Sequence, residues 1–167
     1  MDEDLKLLFL KIIENNRQKI LRICQAYARN KEDQKDLYQE VVLNIWKSLP
    51  SFRQEAMINT WIYRISLNIC MRFSIKSKKE NRANFAIEGI SILDESRDLQ
   101  INIETNEKIN QLYACIAKLD DAEKSLVLLF LEDLSHRAIS DITGITENHV
   151  AVKLSRIKKK LFNCINN

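Results

Sequence analysis

The chain has 167 residues, 46% hydrophobic and 29% charged, with a net charge of +3, a size that holds one ordinary domain or two small ones. Two glycines and one proline leave little punctuation for strands and tight turns, so the composition points to an all-α protein. Four scattered cysteines (Cys24, Cys70, Cys115, Cys164) without a CxxC pair argue against a disulfide framework or zinc site; no apolar run nears the roughly 18 residues of a membrane span, and MDEDLK lacks the character of a signal peptide.

A first helix is predicted from about Asp4, a candidate cap, to Ala28, with Leu5, Phe9, Ile12, Ile13, Ile20, Ile23, Cys24 and Tyr27 as its core face. The polar patch ENNRQK in its middle is expected to bend or interrupt it. Asn30–Asp33 reads as a turn, with Asp33 placed as the cap of a second helix that Pro50 ends. Winding Asp36–Leu49 at 100° per residue puts Leu37, Tyr38, Val41, Val42, Ile45, Trp46 and Leu49 on one apolar side. The other side carries Asp36, Gln39, Glu40, Asn44 and Lys47, with Leu43 in its middle. A merely solvated face fits this pattern; so does a partner-binding face with Leu43 as a small anchor.

Ser51–Asn59 is a polar loop with Phe52 and Arg53, followed by a helix from Trp61 to about Lys76. Trp61, Arg64, Asn68 and Arg72 fall at i, i+3, i+7 and i+11, one stripe on that helix, while Ile62, Leu67, Ile69, Cys70 and Phe73 supply a packing face. Five basic residues and no acid lie between Arg64 and Lys79. An aromatic, two guanidiniums and an amide in line suit the capture of unstacked bases beside a phosphate backbone. A solvated basic face with Trp61 in the core is the plainer reading of this helix alone.

Taken together, DLxQE, five residues, Trp46, a short loop and TWIYRIxxN resemble the promoter-melting module of bacterial sigma factors. Asp36, Leu37, Gln39, Glu40, Trp46, Phe52, Thr60, Trp61, Arg64 and Asn68 carry the likeness. The resemblance implies that the polar face of the second helix (Asp36, Gln39, Glu40, Leu43, Asn44, Lys47) meets the clamp helices of the largest subunit of RNA polymerase core. It further implies that Phe52, Arg53, Trp61, Arg64, Asn68 and Arg72 take the opened −10 element.

From Lys76 the basic run KSKKENR gives way to acid-rich sequence of poor periodicity, read as a flexible acidic linker over 81–104. An amphipathic segment through Ile87, Ile90, Ile92 and Leu93 folding onto one domain is the alternative. Helical pattern returns with Ile109, Leu112, Tyr113 and Ile116, then with a helix over Ala122–Glu132 capped by Asp120 or Asp121. In LSHRAISDITGITENHVAVKLSRIKKKL, Ser135 and Thr146 are placed as N-caps and Gly144 closes the third helix of this half, the marks of a helix-turn-helix. Val150, Leu154, Ile157 and Leu161 form a narrow apolar stripe on the last helix. Asn148, His149, Val152, Lys153, Arg156, Lys159 and Lys160 are its candidate DNA contacts, and no acid follows Glu147.

This half resembles the −35-reading domain of the same family, with Ala138–Ile139–Ser140 and Val150, Lys153, Leu154 and Arg156 in matching places. His149, Ala151 and Val152 stand where the family often has Thr, Lys and Ser, so a promoter sequence is not carried over. The two modules point to the compact extracytoplasmic-function (ECF) group. Two small helical domains are expected, residues 1–80 for polymerase binding and −10 melting and residues 105–167 for −35 binding. The implied function is that of a cytoplasmic, non-enzymatic specificity subunit without cofactor or metal, which joins RNA polymerase core and opens promoter DNA. The resemblance also implies an anti-sigma factor, often membrane-tethered in the family, with no membrane insertion by this chain. A stand-alone helix-turn-helix regulator of duplex operators accounts for the second half only, and a helical adaptor leaves both basic faces without a purpose.

Overall fold

The computed structural model describes residues 2–53, 57–80 and 103–167, and those residues are helical with no strand among them. Helices α1 (Asp2–Tyr27), α2 (Lys31–Ser48) and α3 (Ile58–Glu80) pack on one another. Helices α4 (Ile103–Ile116), α5 (Asp121–Leu131), α6 (His136–Thr143) and α7 (Glu147–Asn166) form a second group. Residues 81–102, which hold nearly all of the expected linker, lie outside the described residues.

The core of the first group is aliphatic: Ile20, Ile23, Leu37, Val41, Ile45 and Ile62 are almost wholly buried. Phe9 sets its ring edge against Trp46 at 5.0 Å, which joins the start of α1 to the end of α2. The ENNRQK patch does not break α1. Asn16 is buried and donates its amide to the Ile12 carbonyl one turn back, so its side chain is satisfied within the helix instead of competing with it. The cap of α2 is Asn30, whose side chain accepts from the Asp33 N–H, and not Asp33. Asp33 instead takes the Arg29 guanidinium at 2.9 Å.

Pro50 does end α2, but within a 3-10 turn (Leu49–Ser51) that buries Leu49. Helix α3 starts three residues before Trp61 and reaches Glu80, so the whole stripe from Trp61 to Arg72 lies on it.

In the second group the caps fall where the sequence puts them. Asp120 and Glu123 make a capping box at α5, Ser135 caps α6, and Thr146 caps α7. Gly144 closes α6 at φ 82°, the left-handed conformation that favours glycine. All four residues of the narrow stripe on α7, Val150, Leu154, Ile157 and Leu161, are buried.

The cysteines are a correction. Cys115 on α4 and Cys164 on α7 are joined as a disulfide, their Cα atoms 6.0 Å apart. A separation of 49 residues hides the pair in sequence; the side-by-side packing of α4 and α7 brings them together. Cys24 and Cys70 are buried free thiols, with their sulfurs 4.0 Å apart across α1 and α3.

The two groups are docked, chiefly through α3 against α5 and α6. Arg22 of α1 holds the Glu132 carboxylate with two N–H groups, at 2.6 and 2.9 Å. Asp121 collects three contacts from the first group. Its backbone carbonyl accepts from the Tyr27 hydroxyl at 2.9 Å, and its carboxylate accepts from Ser74 at 2.8 Å and Lys78 at 3.2 Å.

Candidate nucleic-acid interface

Three surfaces carry the predicted functional residues. On α2, burial of Leu37, Val41 and Ile45 turns the opposite face outward. Asp36, Gln39, Glu40, Leu43 and Lys47 are exposed there, and Asn44 is half-buried because its amide turns back to the Glu40 carbonyl. Leu43 is 48% exposed although its helix has an ample apolar side for a leucine.

The second surface joins the loop to α3. Phe52 and Trp61 stack in a tilted pair with centroids 4.8 Å apart, each half-buried, so the aromatics form one platform instead of a base clamp open on both sides. Arg53 is exposed at the end of the described loop. Arg64, Asn68 and Arg72 are exposed along α3, and the Arg72 Nε donates to the Asn68 carbonyl. Arg64 is not idle: its guanidinium donates to the backbone carbonyl of Asp141 in α6.

The third surface is α7. Asn148, His149, Val152, Lys153, Arg156, Lys159 and Lys160 are all exposed, on the side opposite the buried stripe. The His149 backbone N–H is held by the Thr146 hydroxyl, which fixes the first turn. Two lysines differ from a purely solvated face. Lys160 is paired with Glu123 of α5, and Lys158 lies 4.3 Å over the Phe130 ring, so part of the basic end of α7 is tied to its own domain.

A cleft of about 270 Å³ opens between the second and third surfaces, with Arg64, Asn68 and Met71 of α3 on one wall and Leu126, Ile142 and Lys153 on the other. The sequence gives no sign of this closeness, because Arg64 and Lys153 belong to separate modules. It also gives no sign of Arg22, Glu132 and Asp121 as docking residues; each reads there as an ordinary helix charge.

The electrostatic environment of the docking contact is marked. The ion pair raises the Arg22 pKa, chiefly through its hydrogen bonds to Glu132. Burial pushes the Tyr27 phenol well above its ordinary range, with the nearby carboxylates of Asp121 and Asp120 adding to the effect. Burial lowers the pKa of Lys124, whose ammonium lies 5.3 Å over the Tyr27 ring.

Family profiles divide the chain along the same lines. The profile described as Sigma-70 region 2 matches residues 12–80, and that of Sigma-70, region 4 matches residues 109–161. Among curated proteins, RNA polymerase sigma factor SigV of Bacillus subtilis (strain 168) is 27% identical over 157 residues, covering 92% of this chain and 89% of SigV. ECF RNA polymerase sigma factor SigW of the same organism is 23% identical, covering 92% of this chain and 86% of SigW. Among solved structures, the sigma factor RpoE of Bartonella quintana, in complex with the anti-sigma factor NepR, superposes with a TM-score of 0.74 at 14% identity over 98% of both chains. CnrH, in complex with the cytosolic domain of CnrY, gives 0.69 at 14% identity over 96% of this chain and 89% of CnrH. At such identities the structural likeness is one of fold.

Proposed function

The chain belongs to the ECF group of RNA polymerase sigma factors, and from that premise we propose how its surfaces divide the work of promoter opening. The outward face of α2, centred on Leu43 with Asp36, Gln39, Glu40, Asn44 and Lys47 around it, docks on the clamp helices of the polymerase core. Phe52, Arg53, Trp61, Arg64, Asn68 and Arg72 capture the separated −10 strand. The outward side of α7, from Asn148 and His149 to Lys160, reads the −35 element in the major groove. Residues 1–80 are the first working unit, 81–104 the connector and 105–167 the second.

The observation that carries this reading is the coexistence of two exposed, acid-free basic faces on separate helical groups with an outward leucine on α2. A duplex-operator regulator needs only the second basic face. Strand opening is driven by binding alone: each captured base adds about 1–3 kcal/mol of stacking, so the chain works without catalytic chemistry of its own. The setting is the cytoplasm, where polymerase and promoter meet. No described helix is long and apolar enough to cross a membrane. The relative RpoE is bound by the anti-sigma factor NepR, and we assign this chain a regulator of the same class.

Pull-down with polymerase core, with and without promoter DNA, tests the reading. Core retention in the absence of DNA is expected. Tight, sequence-specific duplex binding by the chain alone, with no core retention, would overturn it in favour of the operator-binding regulator.

A further inference from the structure

The cysteines form two pairs in different surroundings. Cys24 and Cys70 are wholly buried, and hydrogen bonding between them, then burial, raises the Cys70 thiol well above its usual range. Cys115 and Cys164 are bonded to each other in the last turns of α4 and α7, and Cys164 is only half-buried. Exposed Lys118 sits beside that bond. Its backbone N–H donates to the Cys115 carbonyl at 3.2 Å, and its Nζ lies 3.9 Å from the Cys164 sulfur.

A permanent disulfide does not suit a place of work beside polymerase, because the cytoplasm keeps thiols reduced. A bond formed there is transient, made by an oxidant and undone by dithiols. Only this cytoplasmic setting is taken from the sigma-factor reading. The surroundings decide which sulfur reacts first. The carbonyl ends of α4 and α7 disfavour a thiolate at either cysteine. Lys118 offsets this at Cys164, since an adjacent ammonium favours the thiolate, the reactive form. Cys115 is 5% exposed, so an oxidant from solvent meets Cys164 before it.

We propose that Cys164 is a peroxide-reactive thiol primed by Lys118, with Cys115 as its resolving partner, and that their bond is a reversible staple in the second helical group. The Cys164 thiolate attacks the terminal oxygen of a hydroperoxide. The O–O bond breaks, an S–O bond forms, and the alkoxide or hydroxide leaves, giving a sulfenic acid. The Cys115 sulfur then attacks Cys164; the S–S bond forms, the S–O bond breaks, and water leaves with the Cys115 proton. The two sulfurs are oxidised and the hydroperoxide is reduced. A dithiol attacking Cys164 reverses the bond through a mixed disulfide and leaves oxidised. While the bond is open, Gln111 still donates to the Ile165 carbonyl at 3.1 Å, which keeps the end of α7 against α4. Closing it ties the helix-turn-helix into one loop and stabilises it against unfolding.

The full chain, reduced with dithiothreitol and then freed of it, is treated with a small excess of hydrogen peroxide. Peptide maps should show a Cys115–Cys164 cross-link that dithiothreitol removes, with Cys24 and Cys70 unchanged. The cross-linked chain should melt about 5 °C or more above the reduced one. In Cys115→Ser, dimedone, which traps sulfenic acids, should label Cys164; in Cys164→Ser it should leave Cys115 unlabelled. Should Cys115→Ser lose helical circular dichroism, Cys115→Ala supplies the same comparison. Lys118→Gln should slow labelling of Cys164 about threefold or more, and Lys118→Arg should restore it. Absence of the cross-link, label on Cys115 in place of Cys164, or equal rates for Lys118→Gln and the unmodified chain would overturn the assignment. Equal melting temperatures would overturn the staple. Polymerase takes no part in these measurements, so a failed core pull-down strikes the sigma-factor reading and not the thiol chemistry.

Discussion

Arg22 and Glu132, 110 residues apart, meet in a forked ion pair whose two members stand in different surroundings: the Arg22 side chain is 40% exposed and that of Glu132 only 9%. Truncating each should therefore cost different amounts. Arg22→Ala strands a carboxylate with little access to water, whereas Glu132→Ala frees a guanidinium that turns into solvent. We expect a loss of about 2–3 kcal/mol for the first and about 1 kcal/mol for the second in urea denaturation. Equal losses would mean that Glu132 reaches water as easily as Arg22.

Leu43→Asp should leave the fold unchanged and weaken association with polymerase core by about 2 kcal/mol or more, as expected for an anchor at the centre of a contact. The side chain is 48% exposed on the side of α2 opposite Leu37, Val41 and Ile45, so the aspartate meets water and not core. Unchanged circular dichroism with reduced core retention is the expected pair of results. Full retention would remove α2 as the docking face.

Gly144→Ala isolates the backbone contribution to the helix-turn-helix. A Cβ built at this position meets nothing within 4 Å, so no clash arises, yet φ stands at 82°. The substitution should cost about 1–2 kcal/mol from left-handed strain alone, and Gly144→Asn less, because asparagine tolerates that region better. Thermal melting of the two variants checks the order.

Alkaline pH should loosen the junction between the helical groups through Tyr27. Its folded-state pKa is raised, chiefly by burial, so the stability it contributes is intact below its ordinary pKa of 10 and is lost as pH climbs toward the higher folded value. Tyr63, held at about 12 by burial and the nearby Glu132 charge, adds to the loss over pH 10–12. Tyr27→Phe keeps the ring but removes both the titration and the hydrogen bond to the Asp121 carbonyl. It should cost about 1 kcal/mol at neutral pH and flatten the fall above pH 10 by up to about 1.4 kcal/mol per pH unit. Urea midpoints measured across that range decide the matter; parallel curves for the two proteins would show that Tyr27 ionises as freely folded as unfolded.

The parts of this fold that were legible in the sequence are those set by local chemistry. Ser135, Gly144 and Thr146 announce the helix-turn-helix because each satisfies or permits its own stretch of backbone, and the stripe from Val150 to Leu161 follows from helical period alone. Where two local solutions compete, the pattern is weaker. Asn30 and Asp33 can each cap α2, and the choice falls to Asn30 because Arg29 engages Asp33. Contacts between distant elements leave no local trace. The Cys115–Cys164 bond and the Arg22–Glu132 pair depend on which helices lie side by side, and Arg64 meets Asp141 only because α3 runs under α6. For the same reason Leu43 could be singled out as an anchor from its own helix, while the cleft beside Asn68 could not.

Along α7, base reading and phosphate contact should fall to different residues. His149, Val152 and Arg156 lie along its exposed side from the first turn onward, where a helix entering the major groove meets base edges. The first turn is fixed by the Thr146 cap. Lys159 and Lys160 lie further along and suit backbone phosphates, but they are not equivalent: Lys159 is exposed, whereas Lys160 is paired with Glu123. Lys159→Ala should therefore weaken −35 binding about equally for all sequences, and Lys160→Ala by a smaller amount, since its charge is already shared. His149→Ala and Val152→Ala should alter preference at single base positions by about 1–3 kcal/mol, with Arg156→Ala doing some of both. Transcription by the holoenzyme from a library of randomised −35 elements separates these patterns. A His149→Ala variant whose output drops by the same factor on every member would move base reading away from the first turn of α7.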